Sequence, residues 1–294
     1  MTDVPIDLLR MPSPLSPLPS PASIAFIGGG HMARSLIGGL IRTGTPAAML
    51  RVGEPNADLA AALARDFGVA ANADNIAATR DAGTWVLAVK PQVMQSVCTA
   101  LREIAQAARP LVISIAAGIR VGQLDEWLGG GLAVVRCMPN TPALIGAGAT
   151  GLYANARVAA AQHETAARIL GTEGLTVWIE DEALMDTVTA LSGSGPAYFF
   201  LMVEALEDAA VAQGMPRETA RALAVQTCLG AGRMLAEDGA APAELRRRVT
   251  SPNGTTQAAL DSFTADGFAA IVARAIDAAT RRGRDMSEQT GNAP

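Results

Sequence analysis

Five short stretches of the sequence combine glycine, proline and small polar residues in arrangements that suit ligand binding. They are 28-GGGHMA-33, 88-AVKPQ-92, 138-MPNTP-142, 192-SGSGPAY-198 and the segment 245-LRRRVTSPNGTTQAALDSF-263. Groups that could act as acid or base are scarce, because the chain has two histidines, His31 and His163, far apart in the sequence. No cluster has the spacing of zinc or iron ligands, and we therefore expect no metal site.

The stretch 28-GGGHMA-33 matches the dinucleotide-binding pattern Gly28-x-Gly30-x-x-Ala33, with alanine in the third glycine position. The first glycine of this pattern permits a tight turn, the second lets the backbone approach a pyrophosphate, and the third small residue allows close packing of helix on strand. Because a buried strand precedes the loop and a helix follows it, we favour this interpretation over an ordinary turn. His31 is expected to be exposed at the loop and to take no part in catalysis.

The stretch 88-AVKPQ-92 contains Lys90, the single lysine among 23 lysine and arginine residues. It follows a strongly apolar run, and Pro91 after it favours a rigid turn into a helix. A compact ammonium on a flexible stem can approach a nicotinamide ribose or carboxamide more closely than a forked guanidinium. We therefore expect Lys90 to position a cofactor rather than to act in the chemical step.

The end of the second predicted strand, in 52-VGEPN-56, is where such folds choose between NAD and NADP. An acidic side chain there accepts from the ribose 2′-OH of NAD, whereas a nearby arginine suits the 2′-phosphate of NADP. Glu54 favours NAD, and Arg51 argues in the other direction. Glu54 also fits a simpler role as an anion before the first turn of a helix. The sequence therefore leaves NADPH and NADH both open as cofactors.

The turn 252-PNGTT-256 precedes a helix predicted over 255–264. Backbone N–H groups around Gly254, at the N-terminus of this helix, would suit a carboxylate. Asn, Ser and Thr are also the usual cap residues of helices, and from these residues alone an ordinary cap is the simpler interpretation.

Asn140 and Ser194 lie in two further candidate stretches. The prolines of 138-MPNTP-142 favour a rigid loop after the last buried strand, at the sheet edge where ligands bind, although a structural turn fits equally well. The two glycines of 192-SGSGPAY-198 allow close approach of a ligand or another backbone in what is also a turn between two helices. Ser194 would be a polar contact in that turn.

Buried parallel strands must hold these loops in place. Apolar runs without polar alternation predict strands buried on both faces. They lie at 23–27, 48–52, 84–89, 111–115 and 132–137, with weaker strands at 149–153 and 175–179. Helices are predicted between them at 31–42, 55–67, 91–108 and 120–128. This alternation predicts an α/β fold with a doubly wound, mainly parallel Rossmann sheet over residues 23–181.

After residue 181 the sequence predicts helices alone. They lie at 182–191, 196–213, 216–237, 242–249, 255–264 and 266–284. Their faces are very apolar for a lone bundle, so we expect a partner to cover them, as in an intertwined dimer. The second domain is therefore an all-helical one over residues 182–294. The proline-rich residues 1–22 are expected to be a disordered lead.

Composition limits the partners of the protein. A net charge of −5 and a pI near 5.2 argue against general attraction to nucleic acid or to an anionic membrane. No apolar run is long enough to span a membrane. Cys98, Cys137 and Cys228 form no CxxC pair, which favours a reducing compartment. We expect a cytoplasmic protein with no nucleic-acid or membrane partner.

Together, the five stretches resemble the pyrroline-5-carboxylate reductase family. The resemblance runs over nearly the whole chain from about residue 23. Its most specific part is Val-Thr-Ser-Pro-Asn-Gly-Thr-Thr, with Ala259, Leu260 and Phe263 after it. The departures are the proline-rich lead and Glu54, where many members have a small polar residue.

The resemblance implies a Rossmann domain followed by a helical domain that interlocks in a homodimer, often within larger rings. It implies that NADPH or NADH reduces the cyclic imine Δ1-pyrroline-5-carboxylate to L-proline, the last step of proline biosynthesis. It implies cofactor contacts at Gly28, Gly30, His31, Met32, Ala33, Asn75, Ala88, Val89, Lys90 and Asn140. It implies substrate contacts at Ser194, Gly254, Thr255 and Thr256. The Thr256 hydroxyl would orient the ring nitrogen and assist proton delivery.

Two alternatives come from other classes of protein. The β-hydroxyacid dehydrogenase group is similarly built, with a catalytic lysine at the start of the long helix that follows a glycine-rich turn. The corresponding helix here, 197-AYFFLMVEALEDAAVAQG-214, contains no lysine. A non-catalytic dinucleotide-binding protein would keep the 28–33 loop without needing the turn at 254–256. The chemistry of an imine reductase is compatible with the scarcity of histidine, because a protonated iminium is already electrophilic.

Overall fold

The computed structural model describes residues 23–291, with side chains described up to residue 288. The predicted disordered lead over residues 1–22 lies outside this range. The described chain divides into two compact units. One unit comprises residues 23–193 and 279–291, and the other comprises residues 194–278.

The first unit contains an eight-stranded sheet. Its strands are β1 (Ser23–Ile27), β2 (Leu50–Gly53), β3 (Ala70–Asn72), β4 (Ala82–Leu87), β5 (Leu111–Ser114), β6 (Ala133–Met138), β7 (Gly148–Ala154) and β8 (Gly174–Trp178). They are ordered β3-β2-β1-β4-β5-β6-β7-β8. The first six pair in parallel, whereas β7 is antiparallel to β6 and β8 is parallel to β7. The predicted doubly wound, mainly parallel sheet is confirmed.

Helices cover both faces of this sheet. They are α1 (His31–Arg42), α2 (Ala57–Phe67), α3 (Asn75–Thr79), α4 (Pro91–Ala108), α5 (Val121–Trp127), α6 (Ala160–Gly171) and α7 (Met185–Val188). Because side chains alternate along a strand, Ile24 and Phe26 of β1 join a core cluster with α1 and α6. Ala25 and Ile27 join a second cluster with α4 and α5. This double burial explains why the strands are apolar without alternation.

The second unit is helical throughout. It contains α8 (Gly195–Ala212), α9 (Arg217–Glu237), α10 (Pro242–Arg248), α11 (Thr255–Ala265) and the start of α12 (Phe268–Gly291). An ion-pair group joins α8 to α9, where the buried Glu207 contacts the exposed arginines Arg217 at 2.7 Å and Arg221 at 3.0 Å. The guanidinium groups of Arg221 and Arg217 lower the pKa of Glu207. The all-helical prediction for this region is confirmed.

Some elements differ from the predictions. The strand predicted at 84–89 is β4, which ends at Leu87, so Ala88 and Val89 lie in the loop after it. The sequence did not predict β3, α3 or α6. β3 consists of Ala-Ala-Asn at the edge of the sheet and therefore lacks an apolar run. In α6 the buried side chains are Ala166, Ile169 and Leu170, all in the C-terminal half of the helix. The helical pattern of apolar residues therefore covers too few positions to be recognised in the sequence.

Candidate active site

The loops that follow β1, β2, β4 and β5 lie along one edge of the sheet. These strands are parallel neighbours, so their carboxyl ends point in the same direction. The strand order reverses between β1 and β4, and doubly wound folds bind ligands in the crevice at this switch point. The structure therefore places the 28–33 loop, Glu54 and the 88–90 loop at one edge.

Gly28 lies where the loops after β1 and β4 touch. Its φ is +98°, and a Cβ atom there would lie 2.8 Å from the carbonyl oxygen of Ala88. A Cβ on Gly29 would lie 2.6 Å from Leu63 Cδ1, whereas a Cβ on Gly30 would have no atom within 4 Å. Gly28 is thus required by its backbone conformation and by packing on the backbone of Ala88, whereas a side chain at Gly29 would have to displace Leu63. Gly30 faces open space, as the approach of a pyrophosphate would require.

The N-terminus of α1 carries no side-chain cap. Its N-cap is Gly30, which has no side chain to accept from the first N–H groups of the helix. These unpaired donors and the positive end of the helix dipole suit an anionic phosphate. His31 is exposed, as predicted, and Met32 is half-buried. Ala33 is buried in the core cluster against the sheet, in agreement with close helix–strand packing.

Glu54 is buried behind the glycine loop. One carboxylate oxygen, Oε2, accepts from the backbone N–H of Gly29 at 2.7 Å, and Oε1 accepts from the N–H of Asn56 at 2.8 Å. Glu54 therefore braces the loop and also interacts with the start of the next helix. Its negative charge lies beside the loop that a dinucleotide would contact.

Asn75 opens α3 next to the end of β2. Its Oδ1 atom is buried, yet it has no hydrogen-bond partner among the described residues. This atom packs directly over Gly53, where a Cβ would collide with it. A buried acceptor without a donor is rare in folded proteins and indicates a missing ligand or water. Asn75 is therefore suited to accept from a hydroxyl group of a bound cofactor.

The 88–90 loop leads from β4 into α4. The backbone N–H of Ala88 donates to Ile27 at 2.8 Å, so the loop continues the pairing of β4 with β1. Lys90 is the N-cap residue of α4 and is exposed, with Pro91 at the first helical position as predicted. Within the described residues its ammonium group has no hydrogen bond or ion pair. It is available for a ligand at this edge.

The loop after β5 belongs to the same edge, and the sequence interpretation missed it. The N–H of Ile115 donates to Leu87 at 3.1 Å, which places 115-IAAG-118 directly beside the end of β4. The signal was present as a buried strand that runs into small residues, which let backbone approach a ligand. It was overlooked because none of these residues carries a polar side chain.

Asn140 is buried in the loop between β6 and β7. Its Nδ2 donates to the carbonyl oxygen of Ser192 at 3.0 Å, and its Oδ1 accepts from the N–H of Ala149 at 2.9 Å. The amide thus connects the 138–142 loop to the stretch before Ser194. Its predicted contact with the cofactor stays a prediction, and the structure gives the side chain a second role.

The stretch 192-SGSGPAY-198 differs from the predicted turn between two helices. Helical structure continues from α7 through a π-helical turn, Thr189–Gly193, into α8. Ser194 is the N-cap residue of α8, has helical backbone angles and is half-buried, without a side-chain capping bond. π-Helical turns inside helices occur often at functional sites. Ser194 follows such a turn immediately, and its predicted contact with the substrate stays a prediction.

The turn 252–256 lies in the helical unit. Asn253 has a φ of +60°, and Gly254 is the N-cap residue of α11, where no side chain caps the helix. Thr255 is exposed and Thr256 is half-buried in the first turn. The N–H of Gly254 donates to the carbonyl oxygen of Ser251 at 3.0 Å, which leaves the uncapped N–H groups after it for a carboxylate. The predicted substrate contacts at this turn stay predictions.

The described residues contain no reactive buried thiol, no metal-binding cluster and no helix that could span a membrane. Burial raises the pKa of the Cys98 thiol to about 12 and also raises that of Cys137, so both are neutral thiols at physiological pH. Within residues 23–288, no group of three or more His, Cys, Asp or Glu is arranged to hold a metal ion. No helix in the described part of the chain has the length and apolar character to cross a membrane.

Comparisons with protein families match both halves of the chain. Residues 182–286 match the family model described as pyrroline-5-carboxylate reductase dimerisation. Residues 23–118 match the model described as NADP oxidoreductase coenzyme F420-dependent. The pyrroline-5-carboxylate reductase of Pseudomonas aeruginosa is 53% identical over 270 residues, which cover 91% of this chain and 98% of that protein.

Solved structures show the same similarity. A pyrroline-5-carboxylate reductase from Coxiella burnetii superimposes with a TM-score of 0.89 and 40% identity, over 91% of this chain and 99% of that one. The Plasmodium falciparum pyrroline carboxylate reductase with NADP bound has a TM-score of 0.78 and 29% identity, over 90% of this chain and 98% of that one.

Proposed function

Since this chain belongs to the pyrroline-5-carboxylate reductase family, we propose that the sheet edge described above is its cofactor site and that Ser194 and the 252–256 turn contribute its substrate site. The chain is an NAD(P)H-dependent oxidoreductase that reduces Δ1-pyrroline-5-carboxylate to L-proline. The two alternatives, a β-hydroxyacid dehydrogenase and a non-catalytic binding protein, are set aside by this membership.

The residues at the sheet edge fit a dinucleotide. The uncapped N-terminus of α1 and the open side of Gly30 would hold the pyrophosphate. The orphaned Oδ1 of Asn75 would accept from a ribose hydroxyl, and Lys90 would position the nicotinamide end. NAD(P)H supplies the hydride when it is bound. The relative whose structure contains NADP supports the use of the phosphorylated cofactor.

The substrate is a small cyclic imine with a carboxylate. In this proposal, the carboxylate binds at the start of α11, where the helix dipole is favourable. It binds the N–H groups of Thr255 and Thr256, because the N–H of Gly254 already donates to the carbonyl oxygen of Ser251 at 3.0 Å. Thr256 directs its hydroxyl at the ring nitrogen and orients the C=N bond. Ser194 adds a polar contact. No strong general base is required, because the protonated imine is itself the electrophile.

The helical domain supports self-association. It matches a dimerisation family, and many of its large apolar side chains are exposed in the single chain, with Phe199, Phe200 and Leu201 each more than 60% exposed. We propose that the protein forms a homodimer within a larger ring. Besides the cofactor, its ligands would be the imine substrate and proline. We propose no nucleic-acid or membrane partner. The cytoplasm is the proposed location.

The functional domain boundary is also a proposal. We place a Rossmann dinucleotide-binding domain at residues 23–181 and a substrate and dimerisation domain at residues 182–294. The start of the dimerisation family match at residue 182 supports this division.

One observation carries the cofactor site, namely that the glycine loop packs on Ala88 while Gly30 remains open. The test is a spectrophotometric assay of purified protein with pyrroline-5-carboxylate, run separately with NADH and NADPH. We expect imine-dependent oxidation of reduced nicotinamide and formation of proline. Cofactor binding without imine-dependent oxidation would contradict the proposal and favour a dinucleotide sensor.

A further inference from the structure

Resting on the proposed function, we propose that Asn140 is a positioning residue that fixes the π-helical turn Thr189–Gly193 and thereby sets the start of α8 at Ser194. It would act on imine binding through this turn and not through contact with the cofactor. Asn140 is 9% exposed. Its Nδ2 already donates to the carbonyl oxygen of Ser192, and its Oδ1 already accepts from the N–H of Ala149.

The carbonyl oxygen of Ser192 needs a donor from outside its helix. In an α-helix it would accept from residue 196, but that residue is Pro196, which has no N–H. In a π-helix it would accept from Ala197, but the N–H of Ala197 donates to Ser194 at 3.0 Å instead. The Nδ2 group of Asn140 supplies the hydrogen bond that neither of these helical donors makes to the Ser192 carbonyl oxygen. Without it, the carbonyl would be an unsatisfied acceptor in the middle of a helix.

Two glycines, Gly193 and Gly151, let the π-helical turn and the helix before it lie close to the sheet, independently of the Asn140–Ser192 hydrogen bond. A Cβ on Gly193 would lie 2.6 Å from Met138 Cε, two residues before Asn140. A Cβ on Gly151 of β7 would lie 2.6 Å from Val188 Cγ1, in the last turn of α7. The helix before Ser194 thus approaches β7 too closely for a larger residue at Gly151, whereas at Gly193 the flexible Met138 side chain would have to move. Asn140 adds the directional bond to this contact.

The loop that carries Asn140 is itself anchored to the helix of the glycine loop. The hydroxyl of Ser35 in α1 lies 3.2 Å from the carbonyl oxygen of Ala143 and 3.0 Å from a carboxylate oxygen of Glu173, and it donates its one proton to either of them. Asn140 therefore extends from a rigid part of the sheet unit. Its geometry suits a residue that transmits the position of this frame to the π-helical turn.

The first variant is Asn140→Asp, which keeps the shape of the side chain. One carboxylate oxygen can still accept from the N–H of Ala149. The other carboxylate oxygen replaces the Nδ2 donor, so that two acceptors face each other at the Ser192 carbonyl. At neutral pH we expect kcat/KM for the imine to fall about 10- to 100-fold. The Kd of the cofactor, measured by fluorescence titration, should stay within about twofold of wild type.

Acidification distinguishes positioning from a general structural defect. When the carboxyl group of the Asn140→Asp variant is protonated, it regains a donor for Ser192. The ratio of this variant's kcat/KM to that of wild type should therefore rise as the pH falls toward about 5. Asn140→Ala, which cannot regain a donor, should lose activity without this recovery. Normalising to wild type removes the titration of the imine itself from the comparison.

Asn155 provides a matched control at the opposite end of β6. Its amide also bridges backbone groups, donating to Leu132 at 2.9 Å and accepting from Val134 at 3.3 Å and from Arg157 at 3.2 Å. Asn155→Asp should lower stability without changing the imine kinetics.

Three results would overturn the proposal. They are a loss of cofactor affinity as large as the loss for the imine, wild-type kinetics in both Asn140 variants, and no recovery of Asn140→Asp at low pH. The function itself is tested by wild-type turnover, so its failure would be seen separately.

Discussion

The buried arginine of β6 allows a quantitative prediction about the frame of the site. Arg136 is 3% exposed and contacts Asp186 at 3.2 Å and Glu182 at 3.4 Å. Asp186 also accepts from Ser287 of α12 at 3.4 Å, and Glu182 accepts from the N–H of Val121 at 2.8 Å. The network joins β6 to α7, immediately before the π-helical turn.

Substituting Arg136→Met keeps most of the side-chain volume and removes the charge. Asp186 is then left as a buried carboxylate whose remaining partner is a neutral hydroxyl. Breaking a buried ion pair from one side typically costs about 3–5 kcal/mol. For a unit of this size, each kcal/mol lowers the melting temperature by roughly 2–4 °C, so we expect a decrease on the order of 10 °C.

Intrinsic fluorescence is a suitable assay, because the three tryptophans, Trp85, Trp127 and Trp178, all lie in the sheet unit. Arg157→Met is the matched control. Arg157 is exposed and lies 3.7 Å from Asp125, so its removal should cost less than about 1 kcal/mol. Adding Asp186→Asn to Arg136→Met should recover part of the loss. If Arg136→Met melts within about 2 °C of wild type, the network is solvated and the reasoning is wrong.

Three further substitutions test the proposed ligand contacts. Glu54→Ser should raise the kcat/KM ratio of NADPH to NADH about tenfold, because it removes a carboxylate near the ribose. Asp58→Asn, in the first turn of α2, is its exposed control, and an equal change there or no change in either would contradict this role. Thr256→Ala should lower kcat/KM for the imine about 10- to 100-fold while the cofactor Kd stays constant, and an unchanged kcat/KM would remove Thr256 from the mechanism. Lys90→Arg should chiefly raise the cofactor KM, whereas loss of the chemical step alone would indicate a catalytic lysine.

Much of the fold was predictable because its signals are local. The strand β1 was predicted with its observed bounds, since an unbroken apolar run is what burial on both faces requires. The conformation of Gly28 was predictable as well, because the fingerprint follows a strand and precedes a helix. β3 was not predictable, since its three residues gain their strand geometry from pairing with β2 and not from their own apolar character.

The roles of polar side chains were harder to predict, because they depend on contacts between distant residues. Asn140 and Ser192 are 52 positions apart, and the missing donor at Pro196 becomes meaningful only once the helix is seen to continue through 192–198. The proline was interpreted as the start of a new helix, which is its usual place. In the structure it lies in the first turn of α8, which begins at Gly195, and it leaves the Ser192 carbonyl without a helical partner.

Glu54 shows how two sequence interpretations can both hold in part. Its bond to Asn56 is the local role of an anion before a helix, and it spans two residues. Its bond to Gly29 spans 25 residues and could not be inferred from the sequence. Arg51, which argued for NADP, donates instead to the carbonyl oxygen of Arg80. The end of β2 therefore carries two buried acceptors, the Glu54 carboxylate, which already binds two backbone N–H groups, and Asn75 Oδ1, which has no partner among the described residues. Acceptors complement the hydroxyl donors of a ribose, whereas a carboxylate close to a 2′-phosphate would repel it. Because the relative with NADP bound supports use of the phosphorylated cofactor, the cofactor ratio of Glu54→Ser tests whether the Glu54 carboxylate faces the ribose at all.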